Sequence, residues 1–495
     1  MRMAPGLRRG RARRVAYALV VTASVLLLGE VALRAMLPDP RVLESTDRRR
    51  GLAFGYDPLA PVTVRDAAGQ VRFARNPSNL RPQVWSSRKP AGTYRVIVVG
   101  DSTVFGQLTE ALAAGLRVPG RTVEVLNYGM PGAASDRVRI LWQDALRQSP
   151  DLLLLYVGHN EWIEAAINPM SAEPFAWRAW KSRIRNAGWG RLLGRVLGRE
   201  IPAAPSVWSP KEEWDAVAFP PWPDVARRFG THLDAMCRAA TGRTFAFVEP
   251  ASNLLAPGHL STNSDPDGRV KEQLLRGFQA LYDGDLARAD EDGWAVASAH
   301  PEVAPAWVLL GRVRAARGER IAALEHLRRG RELDPARSRV TAGHRKVLEE
   351  VARACGAPYV HTEDSLYGRD DSLDASRLLF TDPVHPSARG AVALAGQVFA
   401  GLQSLGRVPE GSVYDDSARV VERADPLGRG WNASYFATRE DHFQQDPQAQ
   451  SGAILPDITN PLLPTYNPHA LPPLHGGPKG GKGPPPPSPA PPAPR

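Results

Sequence analysis

Cysteine is scarce in this chain of 495 residues, which contains only Cys237 and Cys355. Two cysteines cannot form a disulfide framework, and they lack the paired spacing of a zinc site. Each lies late in a predicted helix, shortly before a predicted strand. We therefore expect both to be small, buried, apolar residues, and the sequence leaves open a single bridge between them.

Signatures of nucleic-acid binding are also missing. No zinc-finger spacing, no aromatic RNA-binding motif and no clear recognition helix occur in the sequence. The formal charge is nevertheless +10, and the excess comes almost entirely from arginine, because lysine is scarce. The basic balance therefore favours a protein close to an anionic membrane surface, and we expect no nucleic-acid partner.

The N-terminus carries the pattern of a membrane anchor. Residues 1–14 hold six arginines and no acidic residue, and an apolar run from Val15 to Gly29 follows. A helix over 15–37 would rise about 35 Å, enough to cross a bilayer as a transmembrane anchor. The positive-inside rule puts residues 1–14 in the cytoplasm and the rest of the chain on the extracytoplasmic (periplasmic) side of the cell membrane. A cleaved signal peptide is the alternative, since the apolar run is short, but no small-x-small cleavage site is obvious.

Apolar strands alternate with helices over much of the remaining chain. Five runs predict buried strands, namely YRVIVVG, TVEVLNYG, DLLLLYVG, RTFAFVEPAS and APYVHTED. Continuous apolar strands that alternate with helices indicate a parallel sheet covered on both faces, so the expected fold class is α/β with three layers. We assign this core to residues 92–166, 226–262 and 338–406, after a connecting segment at 38–91 that contains two short strand-like pieces, PVTVRD and QVRFARN.

An insertion rich in tryptophan and arginine spans residues 167–225. Its stretch FAWRAWKSRIRNAGWGRLLGRVLG alternates apolar side chains with arginine at near-helical spacing. Such a pattern is typical of an amphipathic surface on lipid headgroups, and it also suits a lid over an apolar pocket. A helical cap packed on its own domain is the third interpretation, and the sequence does not decide between them.

A second insertion, at residues 263–337, contains an internal repeat. Gly277 recurs as Gly311 and Ala289 as Ala323, both at an offset of 34 positions. The second copy resembles a tetratricopeptide repeat, in which small residues let two helices cross closely. Two repeats rarely bury a stable core alone, so we expect them to pack against the α/β core. The repeats could also offer a surface to a protein partner.

The C-terminal part of the chain has a different composition. Residues 407–470 are rich in proline, aspartate and asparagine and predict irregular structure. Residues 471–495 consist almost entirely of proline, glycine, lysine and alanine. Such a tail cannot bury a core and is expected to be disordered.

The Gly-x-Ser-x-Gly elbow of α/β-hydrolases is absent, which argues against the commonest serine hydrolase fold. Ser102 instead follows a predicted buried strand, within Gly100-Asp101-Ser102. In a parallel sheet, ligands bind at the carboxyl ends of strands, so Ser102 is well placed to be a nucleophile. His385 offers a base, within Asp382-Pro-Val-His385-Pro. Asp382 can hold the imidazole Nδ1 and leave Nε2 free for the serine hydroxyl.

Two other strand ends offer hydrogen-bond donors for an oxyanion. The second strand runs into Asn127-Tyr-Gly-Met-Pro-Gly132, where glycine exposes backbone N–H groups. The third strand runs into Gly158-His-Asn160-Glu161, where Asn160 offers a side-chain amide. Backbone and side-chain amides are the usual stabilisers of the charge that develops in acyl transfer.

These four motifs, in this order, resemble those of the SGNH (GDSL) hydrolase family. The resemblance implies that Ser102 is the nucleophile, His385 the base and Asp382 the residue that orients the base. It also implies an oxyanion hole made by the N–H groups of Ser102 and Gly132 and by the Asn160 amide. The family's usual aspartate after the asparagine is Glu161 here, so the hydrogen bonds of that acid stay open.

The resemblance covers about half of the chain and implies a flavodoxin-like fold. It further implies hydrolysis or transfer of O-acyl groups, often acetyl, with no metal and no cofactor. The leading hypothesis is a membrane-anchored serine esterase that acts on an O-acylated small molecule, envelope glycan or lipid. The alternatives are an O-acyltransferase of the same fold and a catalytically silent scaffold that binds proteins. The presence of all four site motifs speaks against a silent core.

Overall fold

The computed structural model describes residues 5–417, except for 38–61, 74–79, 81–82, 168–174, 197–218, 257, 259, 261–264, 266–267, 336, 369–372, 374–378 and 381–382. The described α-helices are α1 (Pro5–Met36), α2 (Thr109–Gly115), α3 (Ser135–Ala145), α4 (Glu161–Ile167), α5 (Phe175–Asn186), α6 (Gly188–Val196), α7 (Trp222–Ala239), α8 (Arg269–Asp283), α9 (Leu286–Ala299), α10 (Ala304–Ala316), α11 (Arg320–Leu333), α12 (Ala342–Ala354), α13 (Glu363–Tyr367) and α14 (Ala388–Ser404). A π-helix spans Val104–Leu108, and a 3-10 helix spans Leu146–Gln148. The described strands are β1 (Thr63–Arg65), β2 (Gln70–Phe73), β3 (Val84–Ser86), β4 (Thr93–Gly100), β5 (Leu116–Arg117), β6 (Thr122–Gly129), β7 (Leu152–Tyr156), β8 (Phe245–Val248), β9 (Tyr359–Val360) and β10 (Val413–Tyr414).

The central sheet has five strands in the order β6-β4-β7-β8-β9, and every neighbouring pair is parallel. This confirms the predicted α/β class and all five predicted strands. The first strand of the core, β4, lies between the second and the third, which is the flavodoxin-like order. All five residues of β7 are buried, as expected for a continuous apolar run with helices on both faces of its sheet.

Helices cover both faces of the sheet and complete the three layers. On one face, α2 and α14 pack on side chains such as Val96 and Val98 of β4. On the opposite face, α3, α7 and α12 pack on the intervening side chains, Ile97 and Val99. This division follows from the strand period of two, which sends successive side chains to opposite faces.

Two small antiparallel sheets flank the core. Strands β1, β2 and β3 form a three-stranded sheet within the predicted connecting segment, and β1 and β2 lie in its two strand-like pieces. Trp85 of β3 is buried, and its indole N–H donates to Gln148, so this sheet packs on the core. The other sheet pairs β10 with β5. The predicted irregular segment is described only as far as residue 417, and the predicted disordered tail lies outside the described residues.

Helix α1 contains the apolar N-terminal run. Its span Ala16–Met36 has a mean hydropathy of 2.0 and is not buried against the rest of the chain. Within the described part of the chain, it is the one helix long and apolar enough to cross a membrane. An anchor and a signal sequence meet this criterion equally well. The structure thus supports an apolar N-terminal helix at the position where the sequence predicts an anchor.

The second insertion is helical and packs on the core, as expected. It consists of α8–α11, and its own core contains Leu274, Phe278 and Leu309. Gly277 of α8 and Gly311 of α10 hold corresponding positions in the two helix pairs. A Cβ atom at either glycine would lie 2.6 Å from a leucine side chain, Leu309 or Leu327, so the helices meet at small residues. Assignment to the tetratricopeptide family stays a prediction.

A disulfide joins Cys237, near the end of α7, to Cys355, directly after α12. The bridge that the sequence left open is therefore present, and it ties two neighbouring helices on one face of the sheet. Cys237 is buried, as expected. Cys355 is only half-buried, because it follows the end of α12, where the adjacent residue Ala354 is exposed. The expectation that both cysteines are buried is wrong for Cys355.

Candidate active site

The candidate site lies where three strands of the central sheet end together. Gly100, at the end of β4, pairs with Gly129 on β6 and with Tyr156 on β7, so the three carboxyl ends are level. The segments that follow these strands carry the predicted nucleophile and both other predicted oxyanion donors. The strand order reverses beside β4, and α/β folds bind ligands at such a switch point.

Ser102 and His385 meet at this edge although they lie 283 positions apart. The Ser102 Oγ atom is 2.8 Å from the His385 Nε2 atom, within hydrogen-bond distance. Their exposed fractions are 7% and 8%, so both side chains are shielded from bulk water. The loop that carries His385 is fixed by a hydrogen bond from the Asn253 N–H to the Pro383 carbonyl, at 2.9 Å. Asp382 lies outside the described residues, and its orienting role stays a prediction.

Asp101 caps the turn on which Ser102 lies. Its side chain accepts a hydrogen bond from the Thr103 N–H at 3.0 Å, and its carbonyl accepts one from the Phe105 N–H at 3.1 Å. Burial raises the pKa of Asp101 to about 6, against the Thr103 hydrogen bond and the charge of His385, which lower it. Within the Gly-Asp-Ser motif, Asp101 therefore stabilises the turn that leads from the end of β4 to Ser102.

The loop between β6 and α3 forms the adjoining wall of the site. Its Met130 N–H donates to the Gly100 carbonyl at 3.0 Å, which ties the loop to the strand before Ser102. Gly132 has a φ of +66°, in the left-handed region that favours glycine. The Asn160 Nδ2 donates to the Ala133 carbonyl at 3.2 Å. Gly132 and Asn160 therefore lie on two segments in direct contact, and the second N–H of the Asn160 amide is left for another acceptor.

Glu161, which directly follows Asn160, binds the start of α3. Its Oε1 accepts from the Ser135 N–H at 2.7 Å, and its Oε2 is hydrogen-bonded to the Ser135 hydroxyl at 2.7 Å. Burial raises the pKa of Glu161 to about 8, against the Ser135 hydrogen bonds, and the charge of Glu164 adds to the rise. The Ser135 Oγ also lies 2.9 Å from Nδ1 of His232, whose pKa burial lowers to about 4. Burial therefore favours the neutral forms of both Glu161 and His232.

Glu164, one helical turn after Glu161, holds the same loop. It accepts from the Ala134 N–H and forms a buried ion pair with Arg137, with Nε and Oε1 2.8 Å apart. Arg137 in turn donates to the Gly132 carbonyl. Sequence reasoning did not single out Glu164 or Arg137. The available signal was the pair of glutamates in the first turn of the helix after Asn160, but acids there are common for helix-dipole reasons alone.

Asn127 and Gly129 shape the end of β6. The Asn127 amide donates to the Val104 carbonyl at 2.8 Å and to the Thr109 hydroxyl at 2.5 Å, and its oxygen accepts from the Gly129 N–H at 2.9 Å. A Cβ atom on Gly129 would lie 2.0 Å from the Phe105 nitrogen. Only glycine therefore lets β6 approach the turn after β4 this closely.

A small cavity lies behind the Gly132 loop rather than at the serine. Its lining residues are Ala134, Asp136, Glu161, Glu164, Ala165, Val225, Arg228 and His232. Ser102 and His385 do not contribute to it, so it belongs to the support of the loop. Within the described residues, no group of three or more His, Cys, Asp and Glu side chains is arranged to hold a metal ion.

Comparison with solved structures gives likenesses at low identity. One is to a lipase/acylhydrolase from Enterococcus faecalis, with 14% identity and a TM-score of 0.28, covering 64% of this chain and 97% of the other. Another is to a protein described as a GDSL-like lipase from Parabacteroides merdae, with 13% identity and a TM-score of 0.28, covering 63% of this chain and 95% of the other. No protein-family profile and no curated protein matches the chain.

Proposed function

We propose that this protein is a serine esterase that removes short O-acyl groups through an acyl-serine intermediate. The observation that carries the proposal is the 2.8 Å contact between the Ser102 Oγ and the His385 Nε2 at the switch point of the sheet. A hydroxyl within hydrogen-bond distance of an imidazole is the arrangement that activates a serine. The contact of Asn160 with the Gly132 loop supports an oxyanion hole beside it.

In the proposed reaction, Ser102 Oγ attacks the ester carbonyl carbon while His385 Nε2 takes the hydroxyl proton. The negative charge on the former carbonyl oxygen is stabilised by the N–H groups of Ser102 and Gly132 and by the Asn160 amide. His385 then gives its proton to the departing alkoxide, and the acyl group stays on Ser102. A water molecule attacks the acyl carbon, His385 takes the proton of that water, and Ser102 recovers it as the acid leaves. Asp382 holds the Nδ1–H of His385 throughout.

The site is proposed to work on the outer face of a cell membrane. Helix α1 would span the bilayer as an uncleaved anchor, and the arginines of residues 1–14 would keep its N-terminus in the cytoplasm. The Cys237–Cys355 disulfide supports this side, because disulfides persist in oxidising compartments. The substrate is then an O-acylated small molecule, glycan or lipid of the cell envelope.

Helices α8–α11 are proposed to be tetratricopeptide-like.

The test is hydrolysis of p-nitrophenyl acetate by the purified full chain in detergent. Ser102→Ala is expected to lower the rate by about 10³-fold or more. Ser404→Ala changes an exposed serine on α14 and serves as the matched control, expected to leave the rate unchanged. Equal and substantial rates in the wild type and both variants would show that Ser102 is not the nucleophile. Equal and negligible rates in folded proteins would favour an O-acyltransferase or a binding scaffold instead.

A further inference from the structure

Helices α5 and α6 form a hairpin with an exposed apolar surface, here called the interfacial hairpin (residues 175–196). Its six most exposed large apolar side chains have exposed fractions between 44% and 73%, and they are Trp177, Trp180, Ile184, Trp189, Leu193 and Val196. The Trp177 and Trp180 rings stack, with centroids 4.6 Å apart. Soluble surfaces rarely gather so many large apolar groups unless something covers them.

The hairpin is attached to helix α1 by specific contacts. The Glu30 carboxylate of α1 accepts hydrogen bonds from the Gly188 N–H at 2.8 Å and from the Trp189 N–H at 3.2 Å, at the start of α6. The Trp189 indole N–H donates to the Leu26 carbonyl at 3.1 Å. A Cβ atom on Gly29 would lie 2.5 Å from the Trp189 ring, so the glycine makes room for it.

The position of these contacts along α1 indicates where the hairpin would lie relative to a bilayer. The apolar run from Val15 to Gly29 would rise about 22 Å, which is short of the hydrocarbon thickness of about 30 Å. The remaining part of the span begins at Glu30, where α6 packs. The Glu30 charge is compensated there by Arg34, with Oε1 and Nε 2.5 Å apart, as well as by the α6 N–H groups. An acid satisfied in this way can lie near the membrane interface.

The composition of the hairpin also fits a position at the membrane interface. Tryptophan is enriched at membrane–water interfaces, where its ring meets the acyl chains and its N–H meets polar groups. The exposed Lys181 and Arg183 accompany the tryptophans, and such cations extend towards anionic headgroups. The start of α6 contacts α1 at Leu26 and Glu30, so the exposed apolar side chains of α6 lie beside α1.

The other end of the hairpin is tied to the catalytic core. Arg178 of α5 forms a buried ion pair with Asp136 of α3, and the Phe175 ring lies 3.9 Å from the Arg139 guanidinium. Helix α3 is the helix that begins directly after the Gly132 loop. The hairpin therefore links α1 to the wall of the candidate active site.

We propose that the interfacial hairpin lies in the outer headgroup layer of the lipid bilayer, beside α1, and holds the mouth of the candidate site at the membrane surface. The covering partner of its apolar face is lipid. Of the three interpretations that the sequence left open, this is the lipid-headgroup surface. The proposal rests on the anchoring part of the proposed function and is independent of the esterase activity.

Depth measurements on the full chain in phosphatidylcholine–phosphatidylglycerol vesicles test this proposal. Because both native cysteines are in the disulfide, a single introduced cysteine takes a thiol-reactive environment-sensitive fluorophore. Leu193→Cys reports on the hairpin, and Leu19→Cys reports on the α1 span. Ile321→Cys is the matched control, because Ile321 is an exposed apolar residue of α11.

Lipids with a spin label high on the acyl chain are expected to quench the probe at position 193 nearly as strongly as the probe at position 19. The probe at position 321 is expected to stay unquenched. Quenching at 19 without quenching at 193 would overturn the hairpin proposal and leave the anchor intact. Absence of quenching at all three positions would overturn the anchor and the hairpin proposal together. The quenching results do not depend on ester hydrolysis, so failure of the esterase proposal would leave their interpretation unchanged.

Discussion

The substitution Glu161→Gln should change how the stability of the protein depends on pH. Burial raises the pKa of Glu161 to about 8, above its ordinary value of 4.5. Between these two pH values, the folded chain holds one proton more than the unfolded chain. The free energy of unfolding therefore falls as pH rises, by about 1.4 kcal/mol per pH unit from this group alone. The contribution is complete below pH 4.5 and is lost as pH rises through about 8.

Glutamine keeps the shape and the carbonyl acceptor of a protonated glutamate, so the Ser135 N–H retains its partner. Urea unfolding, followed by circular dichroism at pH 5.5 and 7.5, gives the change in the free energy of unfolding with pH for the wild type and for Glu161→Gln. Across this window, the wild type should lose about 3 kcal/mol more stability than Glu161→Gln. Glu325→Gln, which changes an exposed glutamate on α11, is the matched control and should follow the wild type. Parallel pH profiles for wild type and Glu161→Gln would refute a proton held at Glu161.

The remaining predictions concern the oxyanion donors, the strand end and the disulfide. Asn160→Ala should lower kcat for p-nitrophenyl acetate by about 10²–10³-fold with KM little changed, and a rise in KM alone would contradict an oxyanion role. Gly129→Ala places a Cβ atom 2.0 Å from the Phe105 nitrogen and should cost about 1–3 kcal/mol in thermal unfolding. Gly230→Ala, whose nearest neighbour is the Val347 Cγ1 at 3.6 Å, is its tolerated control, and equal effects of the two would refute the contact. Removing the disulfide with Cys237→Ala and Cys355→Ala opens a link across 118 residues and should cost about 2–5 kcal/mol. Dithiothreitol should lower the unfolding midpoint of the wild type but not of this double variant, and equal sensitivity would count against the bridge.

The sheet could be predicted from the sequence because its signal is local. Strands such as β7 are runs of apolar residues with no polar interruption, and this pattern arises only where both faces are covered. The position of Ser102 followed from the same signal, since the serine comes directly after such a run. The approach of His385 to Ser102 followed from the order of the motifs around one sheet edge.

The supports of the site could not be predicted in the same way. Whether Glu161 contacts Ser135 depends on the path of the chain between β6 and α3, which no local pattern encodes. The contact of Glu30 with the start of α6 joins segments 158 positions apart. The sequence offered three roles for the tryptophan-rich insertion because an amphipathic helix shows which face is apolar, but not what covers that face. Likewise, Cys237 and Cys355 could be paired only once α7 and α12 were seen side by side.

The most direct test of the account is covalent labelling of the folded full chain with a fluorophosphonate, followed by mass spectrometry of its peptides. Such reagents react with a serine only when a neighbouring base has activated its hydroxyl. We expect one adduct on the peptide that contains Ser102, and we expect this adduct to be lost in His385→Ala. An unlabelled Ser102 in a folded protein, or labelling that persists unchanged in His385→Ala, would contradict the claim that these two residues form the reactive pair.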